Sequence, residues 1–98
     1  MSGAQKKKNQ YEKKFIIRNK LGLHARPAAL FVQLANRFKC EVEVVKGHER
    51  VNGKSIMGIM TLAAGNGAPI TVRTTGEDAL EALTEIAGLI ENNFGETE

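Results

Sequence analysis

The segment Gly22-Leu23-His24-Ala25-Arg26-Pro27-Ala28-Ala29 combines an imidazole, a guanidinium two residues on and a Pro, and its spacing predicts the start of a helix. The first turn of a helix exposes free N–H groups and about half a positive charge, which stabilise a nearby anion by about 0.3–1 kcal/mol. The same field favours a neutral imidazole, the form whose bare nitrogen acts as a nucleophile. Arg26 adds a planar, permanently charged set of donors suited to a phosphoryl group. On chemistry alone two readings stay open: a nucleophilic His24 with a guanidinium beside it, or a His that ends a loop as a cap and an Arg that is merely solvated.

Other chemistries find less support. No metal-ligand spacing links His24 to His48 or Cys40, so neither a metal nor any other cofactor is expected, and no Ser or Cys has an evident base beside it. His48 and Cys40 read as incidental. Gly53-Lys54-Ser55 resembles the end of a phosphate-binding loop, but that pattern requires Gly at position 48, where His48 stands, and it requires a buried parallel strand before it. Ser55 reads instead as the N-cap of a short helix. Ile56, Met57, Ile59 and Met60 follow it, and on so short a helix all four cannot face inward. Two are expected in the core, leaving the rest as a deformable apolar patch.

These residues need a scaffold. Lys13 to Arg18 reads as a strand and Asn19 to Leu23 as a loop, with an amphipathic helix from Ala25 to about Phe38. Glu41 to Val44 alternates, Lys46-Gly47-His48 turns and Glu49 to Asn52 returns, giving a hairpin. The short helix behind Ser55 comes next, then a turn at Gly65 to Pro69 and a strand over Ile70 to Arg73. A last helix opens at Gly76-Glu77-Asp78, carrying Leu80, Leu83, Ile86, Ala87 and Ile90, with acidic residues early where the helix dipole favours them. The order is βαββαβα. Alternating strands imply an α+β fold, a four-stranded antiparallel sheet covered by helices on one face.

With 98 residues, 42% of them hydrophobic, the chain holds one modest core and function must lie on its surface. Its net charge of +3 comes from a tail: residues 1–14 carry five Lys against one Glu, and the remainder is slightly acidic. Residues 1–10 are expected to be a disordered, Lys-rich extension ahead of a single domain over 11–98. One Cys, no apolar stretch behind the basic start and no run of about 18 apolar residues predict a cytoplasmic protein without membrane insertion. The competing class is a binding module whose Lys arm holds nucleic acid, but four Phe and one Tyr, most at core positions, leave few stacking platforms.

Gly22-Leu23-His24-Ala25-Arg26-Pro27-Ala28, followed about thirty residues on by Lys54-Ser55-Ile56-Met57-Gly58-Ile59-Met60, resembles the HPr family of phosphocarriers of the bacterial phosphoenolpyruvate-dependent phosphotransferase system. The resemblance spans about Lys13 to Phe94 and implies an open-faced β-sandwich. It implies that His24 takes a phosphoryl group on Nδ1 from enzyme I and gives it to A domains of enzyme II, with Arg26 beside the phosphoryl group. It further implies that Ser55 is a target of HPr kinase/phosphorylase and that Ile56, Met57 and Met60 form the docking surface. The implied protein is a carrier, not an enzyme in its own right, monomeric, and serves sugar uptake; a carrier of the nitrogen-related regulatory branch is the alternative. The ten extra N-terminal residues depart from the family pattern.

Overall fold

In the computed structural model, which describes residues 9–96, four short strands form one sheet. They are β1 (Gln10–Ile16), β2 (Glu41–Lys46), β3 (Glu49–Asn52) and β4 (Pro69–Thr75), in the order β1-β4-β2-β3 with every neighbouring pair antiparallel. Helices α1 (Ala25–Ala35), α2 (Ile56–Thr61) and α3 (Ala79–Glu91) and a 3-10 turn (Asn93–Gly95) complete the fold. Period-two alternation gives the sheet two unlike faces. Phe15, Val42, Val44, Ile70 and Val72 point inward to a core that Phe31, Ile59 and Ile86 close from the helices. Each such side chain contributes about 1.5–3 kcal/mol by leaving water. Thr74, also buried, donates its hydroxyl to Ala79 O at 2.7 Å and so ties β4 to the start of α3.

The opposite face stays open. Register aligns Glu12, Arg73 and Glu43 across β1, β4 and β2. Arg73 donates Nε to Glu12 at 2.8 Å and a terminal nitrogen to Glu43 at 2.7 Å, and Arg50 lies 3.7 Å from Glu43. The two carboxylates hold the Arg73 guanidinium above its ordinary pKa. The expected open-faced α+β sandwich is therefore the fold found.

Boundaries shift where tertiary partners override local pattern. β1 starts at Gln10, not Lys13, because polar Gln10, Tyr11 and Glu12 find partners in Thr75, Thr74 and Arg73. Of the extension drawn over 1–10, residues 1–8 lie outside the described residues, while Gln10 is in the strand and Asn9 O accepts from Gly76 N at 2.9 Å. α1 stops at Ala35 and does not reach Phe38. Asn36 Nδ2 donates to Val32 O, and the N–H groups of Arg37 and Phe38 reach back only three residues, tightening the last turn. In α3 Leu80 is 55% exposed, whereas Ala79 and Ala82 are buried, so the helix is turned to set its smallest side chains inward. Asp78 precedes that helix without capping it. Its carboxylate accepts the N–H groups of Lys39 and Cys40 at 2.9 Å each, which lowers its pKa, the Lys39 bond contributing most.

Candidate functional site

The loop between β1 and α1 is pinned to residues 64–68 before it reaches His24. Ile17 N–H donates to Ala68 O, Asn66 Nδ2 donates to Arg18 O at 2.9 Å, and Leu23 N–H donates to Ala64 O at 2.8 Å. Asn19 is fully buried and donates Nδ2 to Gly22 O. Gly22 has φ +71°, and a Cβ there would sit 2.4 Å from Ala64 O. Only Gly accepts both the left-handed backbone and so close a crossing. The loop thus delivers His24 to one fixed place.

His24 is the N-cap residue of α1, with extended backbone (φ −80°, ψ −168°), and its carbonyl accepts Ala28 N–H at 2.9 Å. Its ring makes no capping bond to the helix, so the imidazole is free of that structural duty. The N–H groups of Ala25 and Arg26, first in the helix, have no carbonyl four residues back within it. Pro27, buried, contributes none, and its missing donor costs nothing there. Arg26 is exposed and lines one open depression together with Lys20, Leu21, His24, Phe94, Gly95 and Glu96. The cap reading of His24 thus holds for its backbone and not for its ring.

Glu96 was invisible to sequence reasoning. Its Oε2 lies 3.3 Å from His24 Nε2, with both side chains partly exposed. The chain gets there through three successive left-handed residues, Asn93 (φ 52°), Phe94 (φ 56°) and Gly95 (φ 76°). For a bulky Phe that conformation costs about 1–2 kcal/mol. Burial of the Phe94 ring, worth about 1.5–3 kcal/mol, offsets it. The Asn-x-Gly pattern at 93–95 was the available signal.

Ser55 stands apart from that depression. It caps α2, its Oγ accepting Gly58 N–H at 3.0 Å. Asn36, the C-cap of α1, donates to Lys54 O at 3.3 Å, which places the start of α2 beside the far end of α1. Eleven residues of helix separate that end from His24, roughly 16 Å at 1.5 Å per residue. On α2 only Ile59 is buried, one residue where two were expected; Ile56 (43%), Met57 (75%) and Met60 (42%) are exposed. Leu21, 70% exposed, adds an apolar side chain that sequence reasoning passed over as loop.

Cys40 is buried at the start of β2, and burial, reinforced by Asp78, pushes its thiol up to about 11. His48 sits exposed at the hairpin tip. No group of three His, Cys, Asp or Glu side chains among the described residues could hold a metal ion, and no helix among them is long and apolar enough to cross a membrane.

A partly exposed imidazole at a helix N-terminus, sharing one depression with an Arg, can hold an anion such as a phosphoryl group in reach of solvent. Residues 11–92 match the family model described as the PTS HPr component phosphorylation site. The chain belongs to the HPr family. It is 54% identical over 80 residues to the phosphocarrier protein HPr of Neisseria meningitidis serogroup A, covering 82% of this chain and 90% of that one. Its fold superposes on HPr-C-His of Thermoanaerobacter tengcongensis with a TM-score of 0.87 at 46% identity, over 90% of this chain and 99% of that one. An HPr from the same organism, solved as a dimer, matches at 49% identity with a TM-score of 0.72, over 84% of this chain and 94% of the other. As a member of the HPr family the chain is a phosphocarrier of the phosphotransferase system rather than a catalyst. The dimeric relative leaves the expected monomer without support from kinship.

Proposed function

We propose that His24 is the residue on which this chain carries the phosphoryl group, accepted on Nδ1 from phospho-enzyme I and passed to an A domain of enzyme II for sugar uptake. The observation that carries the proposal is the setting of the ring: at the N-cap but not capping, half-exposed, and turned so that Nε2 meets Glu96. Nδ1 is then the nitrogen left for chemistry. Its lone pair forms the N–P bond as the bond between phosphorus and the enzyme I donor atom breaks, the electron pair leaving on that atom. Transfer onward reverses these roles. The Ala25 and Arg26 N–H groups and the Arg26 guanidinium face the transferred charge, and helix-end stabilisation of about 0.3–1 kcal/mol is mild enough to keep the group transferable.

Ser55 is the regulatory position, a target for HPr kinase/phosphorylase, and Ile56, Met57 and Met60 are the docking surface. A phosphate on Ser55 would carry about −1.5 to −2 charges. At roughly 16 Å it lies beyond the Debye length of about 8 Å at physiological salt, so it acts through partner docking and not on His24 directly. The remaining assignments are a cytoplasmic, monomeric carrier with a single domain over residues 11–98, which Gln10 extends into the first strand. The open sheet face supports this reading over a nucleic-acid module: its central Arg73 is held by Glu12 and Glu43, and the carboxylates set negative charge where a backbone phosphate would lie.

The test is intact mass after incubation with phosphoenolpyruvate, Mg²⁺ and enzyme I. The wild-type chain gains one acid-labile phosphoryl group and His24→Ala gains none while keeping its circular dichroism. Uptake by folded His24→Ala would overturn the assignment.

A further inference from the structure

The family-model match ends at residue 92, before Glu96. The geometry points to Glu96 as a positioning residue for phosphoryl transfer: its carboxylate, 3.3 Å from His24 Nε2, favours hydrogen on that nitrogen and leaves Nδ1 bare. This rests on the reading of His24 as the carrier.

An ionised carboxylate only accepts, so an oxygen 3.3 Å from Nε2 favours the ring form with hydrogen on Nε2, and in neutral imidazole that leaves the lone pair on Nδ1. Contacts that serve catalysis are often long before a partner binds and shorten in the complex. When Nδ1 donates its lone pair to phosphorus the ring gains positive charge, shared with Nε2, and the Glu96 carboxylate faces that charge. An oriented acid behind an imidazole plays the same part in other His-dependent sites.

The chain reaches this position at a conformational cost. Asn93, Phe94 and Gly95 all have positive φ, and the buried Phe94 ring anchors the turn one step before the chain comes over His24. Backbone of this kind persists where surrounding structure enforces it, and it clusters at functional sites. Glu96 therefore projects from a fixed turn. The other charged groups lining the depression, Lys20 and Arg26, are cationic, so among the described residues Glu96 is its one carboxylate.

The experiment compares the full chain with Glu96→Gln and Glu96→Ala, reading the His24 ring ¹⁵N shifts where the ring is neutral, and the rate of phosphoryl uptake from phospho-enzyme I. In the wild type Nε2 should show the protonated-type shift and Nδ1 the bare-type shift. Glu96→Ala should move both towards an averaged position and slow uptake about 10-fold, the low end of what removing an orienting partner costs a functional His. Glu96→Gln, which keeps an acceptor, should restore the shifts and most of the rate. Unchanged shifts in Glu96→Ala, or a Glu96→Gln no better than Glu96→Ala, would overturn the assignment. Uptake by His24→Ala would strike the carrier reading instead and leave the nitrogen shifts to be judged on their own.

Discussion

Replacing Gly22 by Ala tests how the loop holds the site. At φ +71° an L-residue loses about 1–2 kcal/mol to the left-handed backbone. The added Cβ would lie 2.4 Å from Ala64 O and 2.6 Å from Gly65 Cα, both backbone atoms, so main chain must move, at about 1–3 kcal/mol for an overpacked position. Reduced freedom of the unfolded chain returns about 0.4–1 kcal/mol. The net loss is about 1–4.5 kcal/mol, a large part of the roughly 5–15 kcal/mol that holds a domain of this size. With a urea slope near 1 kcal/mol per molar, the midpoint followed by circular dichroism should fall by about 1–4.5 M. Gly65→Ala is the control, since a Cβ there meets nothing within 4 Å and the backbone does not require Gly; its midpoint should hold within about 0.5 M. Relief of the crossing would also pull Leu23 from Ala64 O, so the fraction of Gly22→Ala that folds should transfer phosphoryl more slowly. A midpoint within about 0.5 M of wild type for Gly22→Ala would refute the argument, because it would show that the crossing relaxes freely.

Ser55→Ala removes the cap on Gly58 N–H and should lower stability by about 1 kcal/mol in urea melts while leaving uptake on His24 intact. Asp78→Asn removes a carboxylate whose folded pKa lies below its unfolded value; wild type gains stability above the unfolded pKa and loses it as pH falls through the folded one, so the variant should show a flatter loss of stability across acid pH in melts from pH 5 to pH 2. Cys40, its thiol raised to about 11, should react with a disulfide reagent at pH 8 far more slowly in the native chain than in urea, and equal rates would place it outside the core.

What the sequence disclosed was what depends on near neighbours. The N-cap at His24, the Pro in the first turn, the Ser55 cap and the hairpin around Gly47-His48 are each decided within a few residues, and each stands where the pattern put it save that Lys46 belongs to the strand and not the turn. The misses are tertiary. Hydrophobicity ranks Leu80 above Ala79, but a helix lying close to a sheet prefers its small residues at the contact, and α3 is rotated accordingly. Gln10 to Glu12 look like tail because nothing local makes them strand; β4 supplies the partners. Glu96 sits 72 positions from His24 and reaches it only through a left-handed turn, a pairing no local pattern encodes.

On the proposed assignments, the site and the docking surface divide the labour by rigidity. His24 follows a loop pinned by backbone hydrogen bonds and opens a helix, and the turn anchored by the buried Phe94 ring lies against it, so a reacting nitrogen there would meet each partner in one orientation. Ile56, Met57 and Met60 stand on a helix of six residues held inward by Ile59 alone among its own side chains, with thioethers that reshape at little cost. A carrier must satisfy a donor and an acceptor with different surfaces while presenting the same chemistry to both. Deformable side chains accommodate the difference, and the rigid imidazole keeps the chemistry the same. If α2 is the docking helix, charge placed at its Ser55 cap would act on that surface without disturbing the backbone that aims His24.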